Sequence, residues 1–78
     1  ENGTKDFKTL LQEFTQKKFK QTPVYTLQDE KGPEHDKIFT ILVKVGQQTF
    51  GPVNGSSKKI AEQKAAELAY SQLKTTSK

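Results

Sequence analysis

The sequence predicts an α+β domain of order α-β-β-β-α, with two helices packed on one face of a three-stranded antiparallel sheet. Three patterns carry this reading. Near the start, Phe7, Leu10, Leu11 and Phe14 recur at i, i+3, i+4 and i+7, the spacing of one helix face. In the middle, "KIFTILVKV" (37–45) alternates, so that Phe39, Ile41, Val43 and Val45 share one face of a strand. In the last third, Ala61, Ala65, Leu68, Ala69 and Leu73 return to helical spacing.

Each element has its own local signals. Asp6 is a fitting cap for the first helix, which ends near Lys18. After Pro23 the segment 24–28 is rich in β-formers, and "DEKGPEHD" joins it to the strand over 37–45. Gly46 turns the chain into a short third strand, 47–50, in a hairpin too tight for anything but antiparallel pairing. Gly51, Pro52 and Gly55 are expected to end that strand. Gly55, Ser56 and Ser57 read as a loop and N-cap, so the last helix starts near Ser57. Both helices have one apolar face, which places them on the same side of the sheet. The small Ala61, Ala65 and Ala69 suit close approach to it. The domain is expected over 6–74, with the polar ends 1–5 and 75–78 frayed.

Composition narrows the function. A chain of 78 residues that is 31% hydrophobic can build one thin core, and with no cysteine it has neither disulfides nor a cysteine zinc site. Apolar runs fall far short of the roughly 20 residues of a membrane span, and the N-terminus lacks a signal-peptide pattern, so a soluble protein without a membrane partner is expected. Thirteen Lys and no Arg against nine Asp plus Glu give a net charge of +4, which favours an anionic partner.

Enzyme chemistry finds little support. His35 is the only histidine, and the carboxylates Asp29, Glu30, Glu34 and Asp36 cluster in one polar loop beside Lys31 and Lys37. General acid–base or metal chemistry needs groups with shifted pKa values held in a dry pocket, and a charged hairpin loop does not provide one. No catalytic residue, metal or cofactor is therefore assigned.

Two surfaces remain. On the first helix, Thr9, Gln12, Glu13 and Gln16 fall together opposite the apolar stripe, offering donors and acceptors suited to hydroxyls. On the last helix, Lys58 and Lys59 occupy the first turn, where the positive end of the peptide dipole repels them. The arrangement becomes useful when an anion is present. A phosphate beyond that helix end would meet backbone N–H groups, the dipole and two ammonium groups together.

In this combination the sequence resembles the double-stranded-RNA-binding domain family over about 6–73. The motifs are Gln12 and Glu13 on the first helix, "GPEH" at 32–35, Phe39, Val43 and Val45 on the strand, "SKKIAE" at 57–62, and Ala65 with Ala66. Pro23 and Tyr25 match the entry to the first strand. Within that family, "DFKTLLQEF" and "SKKIAEQKAA" are most similar to the C-terminal RNA-binding domain of ribonuclease III. The resemblance implies an RNA-binding module whose nuclease domain lies elsewhere in the parent chain, in an intracellular, cytoplasmic protein. It also implies three contact regions: Thr9, Gln12 and Glu13 at one minor groove; Gly32, Pro33, Glu34 and His35 at the next; and Ser57, Lys58 and Lys59 on the phosphates between them. Recognition would follow duplex shape over about 16 base pairs, because the deep, narrow A-form major groove hides base edges while the minor groove displays 2′-hydroxyls. Phe7, Phe14, Tyr25, Phe39 and Phe50 are expected in the core rather than as stacking platforms.

Two departures from the family pattern stand out. Glu62 occupies the place of a third lysine, so that phosphate contact is lost or passes to Lys64 or Gln63, and Val53 replaces a glycine in the loop before the last helix. The alternative on the same fold is a protein-interaction or dimerisation module using an apolar strip on a helix or the outer sheet face, where Thr40, Leu42 and Lys44 point away from the helices.

Overall fold

The computed structural model describes residues 6–76, in the order α1 (Phe7–Phe19), β1 (Val24–Lys31), β2 (Ile38–Val45), β3 (Gln48–Gly55) and α2 (Lys58–Thr76). The strands form one antiparallel sheet in the order β1-β2-β3, which is the predicted fold class. Of the ends expected to fray, 1–5 and 77–78 lie outside the described residues, whereas Thr75 and Thr76 continue α2.

Asp6 caps α1 as expected, its carboxylate accepting from the Thr9 N–H and hydroxyl. The helix closes at Lys20, whose left-handed conformation lets its own N–H and that of Gln21 reach the carbonyls of Gln16 and Thr15. Leu11 is fully buried, and Phe7 and Phe14 pack against the core from the same stripe. Thr15 is also fully buried, which its polarity did not suggest. Its hydroxyl donates to the Gln12 carbonyl at 3.2 Å, so the polar group is satisfied within the helix.

β2 is the middle strand, and its alternation is realised: Ile41, Val43 and Val45 are buried while Lys44 is exposed. α2 lies across β2 and β3, and α1 packs along α2. Ala61, Ala65, Ala66 and Ala69 are all fully buried, so the small residues do allow the helix to approach the sheet closely. The approach is tightest at Gly55, where a Cβ would stand 2.5 Å from the backbone N of Ala61. Only glycine fits there.

The outer strands are longer than their sequence signals. β1 runs on through Asp29, Glu30 and Lys31, with a bulge between Leu27 and Asp29, because pairing with Thr40, Phe39 and Ile38 overrides the low strand propensity of those charged residues. β3 begins one residue later than expected, since Gln47 belongs to the turn, and it passes through Gly51 and Pro52 to Gly55 instead of ending there. Proline lacks only a donor, and β3 is an edge strand where the bulge opposite Ile41–Val43 absorbs the irregularity. Val53 is accordingly a strand residue paired with Ile41 and packed on the core, not part of a loop.

Candidate functional site

The β1–β2 connection is a short turn held at its base. The Asp36 N–H donates to the Pro33 carbonyl at 2.9 Å, which leaves Glu34 and His35 exposed at the tip. Gly32 has φ +97°, and a side chain there would also collide with the Asp36 carbonyl. Below the turn, Lys37 reaches Glu30 at 2.5 Å. That hydrogen bond, then the Lys37 charge and to a smaller degree Lys58, hold the Glu30 carboxyl below its ordinary range.

At the start of α2, Ser57 is the cap. Its Oγ accepts from the Ile60 N–H at 3.1 Å and its carbonyl from the Ala61 N–H at 2.9 Å. The hydroxyl proton remains able to donate outward. Lys58 and Lys59 are exposed, no acidic residue lies in the first turn, and neither lysine forms an ion pair among the described residues. The first N–H groups of a helix have no intrahelical partner, so this end is equipped to receive an anion.

On α1, Thr9, Gln12, Glu13 and Gln16 are all exposed on one side, as the spacing predicts. The side chains of Gln12 and Glu13 have no hydrogen-bond or ion-pair partner among the described residues, and both are open to solvent. Thr9 differs, because its hydroxyl donates to Asp6 at 2.7 Å, which leaves only its acceptor lone pairs free. Gln16 is engaged by Thr22 at 2.6 Å.

Sequence reasoning missed a cluster where α1 meets α2. Gln63 accepts from the Phe7 N–H at 2.9 Å and donates to Asp6 at 2.8 Å, while Lys8 reaches Glu62 at 2.6 Å and lies 5.1 Å from the centre of the Tyr25 ring. The hydrogen bond from Gln63, followed by that from Thr9, lowers the Asp6 pKa. The Tyr25 hydroxyl is buried without a partner, and burial, with the Glu62 and Asp6 charges, pushes its pKa to about 12. Of the two substitutes named for the missing third lysine, Gln63 is thus occupied by α1 and Lys64 is exposed. No local signal could announce contacts between residues 54 to 57 positions apart.

Among the described residues, no group of three or more His, Cys, Asp or Glu side chains is placed to hold a metal ion, and no helix is long and apolar enough to cross a membrane.

A family model described as double-stranded RNA binding motif matches residues 7–73. Ribonuclease 3 of Treponema denticola is 47% identical over 68 residues, covering 87% of this chain and 28% of that protein. Ribonuclease 3 of Leptospira interrogans is 42% identical over 74 residues, covering 95% and 30% respectively. The chain thus spans less than a third of the length of these curated relatives. Among solved structures, one of Arabidopsis HYL1, concerned with miRNA processing, superposes with a TM-score of 0.76 at 38% identity, covering 87% of this chain and 96% of that one. The solution structure of DRB4 dsRBD2 gives a TM-score of 0.64 at 35% identity, with coverage of 87% and 94%.

Proposed function

The chain belongs to the double-stranded RNA binding motif family, and from that premise we propose that it binds duplex RNA by shape, through 2′-hydroxyls and phosphates, with little sequence preference. The observation that carries the reading is the start of α2, where two exposed lysines follow a serine cap at the positive end of the helix. Ser57, Lys58 and Lys59 take phosphates. Thr9, Gln12 and Glu13 take one minor groove, and Gly32, Pro33, Glu34 and His35 take the next. The 43 Å long axis of the molecule suits a footprint of about 16 base pairs. The chain is then the RNA-binding module of a larger ribonuclease III-like protein, intracellular and cytoplasmic, with the nuclease domain elsewhere in the parent.

Phosphates are common to RNA and DNA, whereas the 2′-hydroxyl separates them. Glu13→Ala and His35→Ala should each weaken RNA binding by on the order of 0.5–1.5 kcal/mol, with the charged Glu13 toward the upper end, and should shrink the RNA-over-DNA ratio. Titration of matched RNA and DNA duplexes at one salt concentration measures this. An unchanged ratio in folded variants would remove both regions from the minor grooves.

The domain itself should bind without cutting, since the carboxylates among the described residues are either exposed, in the turn and on the helices, or engaged in ion pairs and hydrogen bonds. Labelled duplex incubated with magnesium and rigorously purified protein should stay intact. Metal-dependent cleavage would overturn the assignment. The outer sheet face is a weaker base for function, because exposed Val24 and Ile38 are interrupted by Thr26, Thr40 and Lys44.

A further inference from the structure

The second turn of α2 grips the first turn of α1 through directional bonds. The Gln63 amide meets α1 with both ends, its oxygen on the Phe7 N–H and its nitrogen on the Asp6 carboxylate that caps the helix. The preceding residue, Glu62, holds Lys8. The cap of α1 and its first two residues are therefore fixed by two successive residues of α2. Farther along, the helices meet through apolar and aromatic contacts such as Phe14 edge-on to Tyr70 at 5.6 Å. Contacts of that kind set the distance between helices but tolerate sliding and rotation, whereas a two-ended amide does not. The gripped turn of α1 carries Thr9, with Gln12 and Glu13 on the turn that follows. The gripping turn of α2 follows directly on Lys58 and Lys59.

We propose that Gln63, aided by the Glu62–Lys8 pair, is a positioning residue for duplex recognition: it fixes the offset and rotation of the groove-facing side of α1 relative to the phosphate-facing start of α2. The inference rests on the RNA-binding reading above. A duplex is a rigid ligand, so two contact regions engage together only when their spacing matches it. When the grip is released, the lysines still find phosphates, but the side chains of α1 no longer enter the minor groove in register. The loss falls on the contacts that distinguish RNA from DNA.

The test compares wild type, Gln63→Leu and Glu62→Gln on matched RNA and DNA duplexes across a salt series, with the folded fraction followed by circular dichroism. Gln63→Leu should bind RNA about fivefold more weakly, the scale of one net hydrogen bond, and the RNA-over-DNA ratio should fall by about the same factor. The slope of log affinity against log salt should not change, because no phosphate contact is removed. Glu62→Gln should shift the ratio in the same direction by about twofold, and it carries the test if Gln63→Leu does not fold. A purely structural role would lower RNA and DNA binding equally, in step with the unfolded fraction. An unchanged ratio in the variants, with wild type still preferring RNA, overturns the positioning role. A wild type with no preference for RNA overturns the underlying assignment of α1 instead.

Discussion

Lys58→Ala combined with Lys59→Ala should weaken binding to every duplex RNA sequence by on the order of tenfold to a hundredfold at moderate salt, the scale of two lost charge-assisted contacts. The slope of log affinity against log salt should fall by roughly one to two units, as neutralising two fewer phosphates releases fewer counterions. DNA duplexes should lose affinity by a similar factor, since the phosphate is shared. The fold should survive. Both side chains are exposed, the Ser57 cap remains, and removing cations from the positive end of a helix relieves a repulsion. Binding titrations over a salt series, alongside thermal unfolding, give both quantities. A folded double variant with an unchanged slope would reduce the two lysines to a solvated surface.

Gly55→Ala should have the larger effect on stability. The added methyl carbon would lie 2.5 Å from the Ala61 nitrogen and 2.8 Å from its Cα, so backbone rather than a flexible side chain must move. Overpacking of this kind costs about 1–3 kcal/mol, and each kcal/mol lowers the melting temperature of so small a domain by about 4–8 °C. The displaced backbone is the first turn and a half of α2, which carries the proposed phosphate-binding end. RNA affinity should therefore fall further than the folded fraction accounts for. Chemical denaturation and duplex titration on the same preparation would decide the matter, and a variant as stable as wild type would contradict the close approach.

The elements most legible in the sequence were those whose periodicity is enforced by burial on one side. β2 and α2 each bury one face against the other, so alternation in 39–45 and alanine spacing in 61–69 transmit directly into structure. Ser57 and Asp6 were legible as caps because capping is local chemistry. The extension of β3 past Gly51 and Pro52 was not. Those residues stop a central strand, and nothing in their immediate neighbours says that the strand lies at an edge. Thr15 was hidden for a related reason: its hydroxyl is satisfied by its own helix, which lets a polar residue occupy a core position.

The candidate site was legible region by region. The exposed side of α1, the GPEH turn and the lysine pair each follow from spacing or composition. Their relation to one another does not, because it is set by long-range contacts. Lys8 paired with Glu62, and Gln63 holding Asp6 and Phe7, join parts of the chain that share no local pattern. Glu62 illustrates the point. From the sequence it is a lysine lost; in the fold it is the anchor for Lys8.

The packing of α1 along α2 also bears on how the domain assembles. The three strands are sequential neighbours, so the meander closes through short loops at small entropic cost. α1 is different: its capping partner Gln63 lies 57 residues from Asp6. Of the five elements of this domain, synthesis delivers α1 first, yet the surface it docks on, α2, is delivered last. During synthesis the N-terminal helix must wait with its Phe7, Leu11 and Phe14 stripe uncovered until α2 has emerged. Within the domain, the helix that is made earliest is thus the last to reach its place, and its apolar stripe stays uncovered in the meantime.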